Sequence, residues 1–188
     1  MIYILVALKN ELPEHDLDET RYKVWYTGVG KVNAAMYATM AAAQPDCGMI
    51  INFGTAGVLN TEKDLVGKLN RVGLVKQRDM DARPQADLGV TPFDQTPYGG
   101  DIELLKTHDV SLSTGDNFVM NTPELESDLV DMEGYAIVRI AKLLEKPVVL
   151  MKYGSDFADE NAAEEWEANQ AKGKELFLEW LRDTDLKA

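Results

Sequence analysis

The sequence predicts an α/β domain, and three observations carry that prediction. Short apolar runs of strand length alternate with segments at helical spacing. Several runs end in loops of glycine and other small residues, and neither repeats nor low-complexity tracts interrupt the alternation. At 188 residues and 45% hydrophobic, the chain has the size of one well-cored domain, so residues 1–188 are expected to form a single domain.

The elements are expected in this order. Residues 2–8 form a continuous apolar run, the mark of a strand buried on both faces of a parallel or mixed sheet lying between helices. Residues 22–27 form a second strand, reaching Gly28-Val29-Gly30. From 31 to 43, Val32, Ala35, Met36, Thr39 and Met40 recur at helical spacing among abundant alanines, and Pro45 stops the helix. Residues 49–53 are another buried strand, followed by Gly54-Thr55-Ala56-Gly57, a small-residue loop where backbone can approach a ligand. Residues 70–76 read as a strand, and 77–101 as a Pro- and Gly-rich irregular stretch whose length favours a functional role. The strand 111–114 leads into Gly115-Asp116-Asn117-Phe118. Residues 129–144 read as a helix with Ile137, Ile140, Ala141 and Leu144 on one face, Pro147 opens the strand 148–152, and the acidic segment 161–181 reads as one long amphipathic helix. Ligands in α/β folds sit beyond the carboxyl ends of strands, which selects the loops after 2–8, 49–53, 111–114 and 148–152.

Composition narrows the function. A net charge of -13 with a pI near 4.5 argues against a nucleic-acid or membrane surface, since both require concentrated Lys and Arg; an uncharged nucleoside is not excluded. Most of these carboxylates are expected at the solvated surface. A single cysteine, Cys47, has no disulfide or zinc-site partner, so a reducing, cytoplasmic setting and an inert, partly buried thiol are expected. The run 2–6 is too short for a membrane span and lacks the flanks of a signal peptide.

Three conventional chemistries drop out. The turn Gly28-Val29-Gly30 before a helix matches part of a dinucleotide fingerprint, but Asn33 stands where the third glycine belongs, and no P-loop Gly-Lys-Ser/Thr run exists. The two histidines, His15 and His108, lie in polar surroundings without ligand-spaced neighbours, so no metal is expected and both read as solvated residues. No serine nucleophile elbow is present, and no cofactor is expected. Carboxylates remain. Glu11 follows the first strand, Glu133 stands at the start of a helix where its dipole favours an acid, and Asp156 follows an apolar strand. Singly, each reads as loop surface or helix cap; together, at one edge of one sheet, they point to acid/base work.

Six blocks in order resemble the signatures of the nucleoside phosphorylase and nucleosidase superfamily: Ala7-Leu8-Lys9-Asn10-Glu11, Gly28-Val29-Gly30-Lys31-Val32-Asn33-Ala34-Ala35, Asn52-Phe53-Gly54-Thr55-Ala56-Gly57, Gly115-Asp116-Asn117-Phe118, Asp131-Met132-Glu133-Gly134 and Gly154-Ser155-Asp156. The resemblance is strongest to methylthioadenosine/S-adenosylhomocysteine nucleosidases. It implies a central twisted mixed β-sheet surrounded by helices, usually in a homodimer, acting on a small-molecule purine nucleoside.

The resemblance also assigns roles. Asp156 would protonate N7 of the purine, oriented by Ser155, and for this its pKa must be raised. Glu133 would hold the ribose hydroxyls and face the developing cation, with Met132 packed under the sugar. Glu11 would activate water. Thr55, Ala56 and Gly57 would line the sugar and base, and Phe118 would stack on the purine while main-chain groups of Phe118 and Val119 read its edge. Glu11, with no arginine in residues 1–20, favours hydrolysis over phosphorolysis. A phosphate-dependent phosphorylase remains the nearest alternative. A non-catalytic nucleoside-binding module, with Trp166 and Trp180 of the tail as its partner surface, is the other. The chain is shorter than the family pattern between Gly57 and Ser111, where Arg78 and Arg83 stand; these either pair with nearby acids or recognise a substrate anion.

Overall fold

In the computed structural model, residues 1–13, 15–160 and 162–186 are described, and they form a nine-stranded mixed sheet flanked by helices. β1 (Ile2–Val6) is buried along its whole length because both faces are covered. Tyr3 and Leu5 meet the alanine face of α1 (Lys31–Ala42) and Ala136, Ile137 and Ala141 of α2 (Gly134–Leu143). Ile2, Ile4 and Val6 meet Phe177, Leu178 and Leu181 of α4 (Gly173–Asp183) on the other side. The rings of Phe53 and Phe177 stack at 4.2 Å, and Trp180 lies 5.8 Å beyond Phe177.

β1 pairs in parallel with β2 (Tyr22–Tyr26) and with β3 (Met49–Val58). β3 continues straight through Gly54-Thr55-Ala56-Gly57, which corrects the expected loop: small residues here line a pocket from within a strand. Its far neighbour is β9 (Val148–Phe157), parallel along almost the full length, so Asp156 also lies inside a strand rather than after one. The expected strand 70–76 is two strands, β4 (Leu69–Arg71) on β9 and β5 (Leu74–Gln77) on β7 (Ser111–Thr114). β6 (Ile102–Glu103) closes the irregular stretch, and its two residues gave no period to read.

Two helical expectations need correction. Residues 129–131 are not the first turn of a helix but a short buried strand, β8 (Leu129–Asp131), which pairs with β7 and with the end of β3. The tail is not one helix but two, α3 (Ala162–Asn169) and α4, broken at residues 170–172; the Asn161 end of the expected helix lies outside the described residues. In α1 the periodic stripe faces outward, with Val32 80% exposed and Met36 and Met40 about half exposed, while Ala34, Ala38, Ala41 and Ala42 face inward. Alanine lets α1 lie close against α2 and the sheet, where larger side chains would hold it off.

Candidate active site

The site arises from a gap in the sheet. β9 occupies one edge of β3 throughout. On the other edge, β1 pairs as far as Asn52 and β8 pairs only at Gly57 and Val58, leaving residues 53–56 without a strand beside them. β1 runs parallel to β3 and β8 antiparallel, so their carboxyl ends approach this gap from opposite directions. The chain leaving β1 delivers Glu11, and the chain leaving β8 delivers Met132 and Glu133.

Glu11 is 4% exposed and caps the bare edge. Its Oε1 accepts from the Thr55 amide at 2.8 Å and the Thr55 hydroxyl at 2.7 Å, and its Oε2 accepts from the Leu8 amide at 3.0 Å. Glu133 stands at the N-cap position of α2 without capping it: Asp131 Oδ2 accepts from the Gly134 amide instead, at 2.7 Å. Its own Oε1 accepts from the Gly30 amide at 2.9 Å, at the start of α1. Burial, with Asp131 beside it, pushes the Glu133 carboxyl up to about 7, against the pull of Lys152 and the Gly30 amide.

Asp156 reaches the gap from β9 because of a β-bulge. Ala56 pairs with Gly154 but Gly57 pairs with Asp156, so Ser155 is an extra residue, and the bulge turns both side chains to the same hollow. The Ser155 hydroxyl donates to Asp156 Oδ2 at 2.5 Å. Burial raises the Asp156 pKa despite that bond, the direction required of a proton donor at neutral pH.

All ten residues anticipated from sequence line one hollow of about 190 Å³: Glu11, Glu133 and Asp156; Met132 and Ser155 beside them; Thr55, Ala56 and Gly57 along β3; Phe118 and Val119 on the loop after β7. That volume is many times the roughly 10–15 Å³ that one water molecule needs on the same measure. Half-exposed Phe118 meets Trp166 of α3 edge-on at 6.4 Å, and Trp166 Nε1 donates to the Thr55 hydroxyl at 3.0 Å. Trp166 therefore faces the hollow, and Trp180 packs against the core.

Sequence reading missed two contributors, Lys152 and Asp131, and left the role of a third, Arg78, open. Lys152, 1% exposed on β9, pairs with Asp131 at 2.8 Å; burial alone would lower its pKa, but Asp131 and Glu133 outweigh it and the value is raised. A lone lysine inside an apolar strand was the available signal. Asp131 joins the pair with the cap of α2 and a 2.5 Å bond from the Thr114 hydroxyl. Arg78 lines the hollow, but the expected pairing with nearby acids does not hold: among the described residues it makes no ion pair, and its terminal nitrogens are bound to backbone carbonyls. Arg83 does pair with acids, Asp81 and Glu124, at the surface.

Among the described residues, no group of three His, Cys, Asp or Glu is arranged to hold a metal, and no helix is long and apolar enough to cross a membrane. His108 is half-exposed beside Glu103, but His15 departs from the solvated expectation, since its Nδ1 is buried and has no hydrogen-bond partner among the described residues. Cys47 is buried and burial pushes its thiol up.

Residues 14–183 match the family model described as "Phosphorylase superfamily". The chain belongs to the phosphorylase superfamily. Glu11 lies just outside the matched range, so its place in the site rests on the geometry. Among superfamily relatives, a 5'-methylthioadenosine/S-adenosylhomocysteine nucleosidase of Arabidopsis thaliana is 33% identical over 143 residues, 71% of this chain and 56% of that protein. The chain spans about half the length of the Arabidopsis relatives it matches. Two solved structures share the superfamily fold over 97% of this chain: a Helicobacter pylori 5'-methylthioadenosine/S-adenosylhomocysteine nucleosidase with butyl-thio-DADMe-Immucillin-A (98% of that chain, TM-score 0.79, 17% identity), and a Helicobacter pylori futalosine hydrolase (97% of that chain, TM-score 0.80, 18% identity).

Proposed function

We propose that this chain is a purine nucleosidase, hydrolysing the N-glycosidic bond of a 5'-methylthioadenosine- or S-adenosylhomocysteine-like nucleoside to free base and a ribose derivative. The observation that carries the reading is the meeting of Glu11, Glu133 and Asp156, from three separate segments, in one hollow. The name of the Arabidopsis relative points the same way.

In this reading Asp156, its pKa raised by burial and its carboxyl oriented by Ser155, gives a proton to N7, so the base leaves neutral while the ribose becomes cationic. Glu133 binds the ribose hydroxyls and stabilises that cation, with Met132 under the ring. Glu11 takes a proton from water as its oxygen bonds to the anomeric carbon. Phe118 stacks on the base, main-chain groups of Phe118 and Val119 read its edge, and Thr55, Ala56 and Gly57 line the sugar side. Because Glu133 acts ionised, kcat/KM should fall below pH about 7.

Water is favoured over phosphate for two reasons. A buried carboxylate at residue 11 repels an incoming phosphate, and both terminal nitrogens of Arg78, the arginine lining the hollow, are already committed. The exposed stripe Val32, Met36 and Met40 on α1, near Val29 at the rim of the hollow, supports a homodimer packed on that face. A reducing, cytoplasmic setting suits a chain with one buried thiol.

The test is release of free base from 5'-methylthioadenosine, S-adenosylhomocysteine and other purine nucleosides in phosphate-free buffer. Release only after phosphate is added would make the chain a phosphorylase. No release from any nucleoside would leave a binding module. D156N should lose about 100-fold or more in rate.

A further inference from the structure

Arg78 follows β5 and is 7% exposed. Its Nη1 donates to the carbonyls of Ser113 and Asp131, both at 2.7 Å, and its Nη2 to those of Gly115 at 3.1 Å and Asn117 at 2.7 Å. These carbonyls lie at or just beyond the ends of β7 and β8, where that of Asp131 also accepts from the Gly115 amide at 3.2 Å, so one cation ties four main-chain acceptors of two segments together. The next residue grips the same loop from its other side. Asp79 accepts from the Asp116 amide at 2.8 Å and from Lys31 Nζ at 2.7 Å, while Asp116 Oδ1 accepts from the Lys31 amide at 2.7 Å. Lys31 is adjacent to Gly30, whose amide holds Glu133. Gly115 makes room for the clamp: a Cβ there would lie 3.0 Å from the Arg78 Cζ and 3.1 Å from its Nε.

We infer that Arg78 is a positioning residue, whose buried guanidinium fixes the spacing between the wall carrying Phe118 and Val119 and the turn carrying Met132 and Glu133. The clamp rests on the nucleosidase reading only for what that spacing serves: a base held at one end of the hollow and a ribose cation met at the other. A displacement on the order of 1 Å at such a site costs about 100-fold in rate.

Three variants test it: R78M removes charge and donors, R78K keeps the charge with fewer donors, and G115A presses a methyl against the guanidinium while Arg78 itself is kept. Hydrogen exchange is read first. In R78M and G115A, amides in 115–119 and 132–135 should exchange about tenfold faster or more, while those of β1 stay unchanged. In turnover, R78M and G115A should lose about 100-fold in kcat/KM and R78K should lose less. The groups facing Glu133 are Asp131, Lys152, Glu11, the Gly30 amide and, more distantly, Arg78, so loss of the Arg78 charge should move the low-pH limb of kcat/KM upward in R78M and leave it in place in R78K and G115A.

Parental exchange at both segments in R78M and G115A would overturn the inference. So would equal loss in R78M and R78K with the limb unmoved, the signature of general structural damage. Should R78M fail to fold, R78K and G115A decide between these outcomes. Absence of turnover in the parent would refute the nucleosidase reading alone, and exchange would then decide the clamp by itself.

Discussion

Glu133→Gln should make the protein more stable at alkaline pH, by an amount that the folded-state chemistry sets. The Glu133 carboxyl rises from an ordinary 4.5 to about 7, because burial and Asp131 oppose its charge. At about 1.36 kcal/mol per unit, the ionised side chain costs the folded state on the order of 3 kcal/mol. The sign follows from linkage. A group with a raised folded pKa contributes stability that is fully present below about 4.5 and is lost as pH rises through about 7. Glutamine does not titrate, so the difference between E133Q and parent should grow in favour of E133Q by about 3 kcal/mol from mildly acidic to mildly alkaline pH. Asp156 is raised as well, but it is present in both proteins and cancels. Asp79, Asp81, Asp94 and Asp128 are lowered and finish titrating below this window. Urea unfolding at a series of pH values measures the difference directly. Stability curves for the two proteins that stay parallel within about 1 kcal/mol would refute the argument that Glu133 is charged at a desolvation cost.

Other substitutions probe neighbouring parts of the site. K152M leaves Asp131 as a buried charge without its cation and should cost about 3–5 kcal/mol by urea unfolding; a loss under about 1 kcal/mol would mean that the pair at 2.8 Å does not hold the cluster together. E11Q keeps the shape of the side chain and removes the base, so nucleoside binding measured by calorimetry should persist while hydrolysis disappears; weakened binding with an unchanged rate would assign Glu11 to binding instead. G154A places a Cβ 2.3 Å from the Leu65 carbonyl oxygen, a backbone atom with little freedom to move, and should cost about 2 kcal/mol or more. A neutral G154A would show that residues 65–67 are free to shift away from β9.

Much of the site was legible because its residues announce themselves locally. Glu11 and Glu133 stand just beyond apolar runs, and Gly54-Thr55-Ala56-Gly57 and Gly154-Ser155-Asp156 are small or polar residues following apolar runs in the sequence. What misled was local as well. Residues 129–131 share their apolar character with the helix after them, and three residues are too few to separate a period of two from one of 3.6. The stripe on α1 has helical spacing, but spacing does not say which face turns inward; here the alanines do. Arg78 offered charge and nothing more, so ion pairing was the natural expectation, whereas its partners are main-chain carbonyls with no signature in sequence.

From its sequence alone this protein was determined to be an α/β chain with strands buried on both faces, with three acids and an aromatic group placed where such folds bind ligands, because composition and periodicity act through neighbours in the chain. Only the tertiary structure decided that β1 and β8 run head-on into a gap beside β3, that one bulge turns Asp156 toward it, and that Asp131, Lys152 and Arg78 support it from beneath. Those are contacts between residues up to about half the chain apart, fixed by how strands share an edge, and no local pattern encodes them.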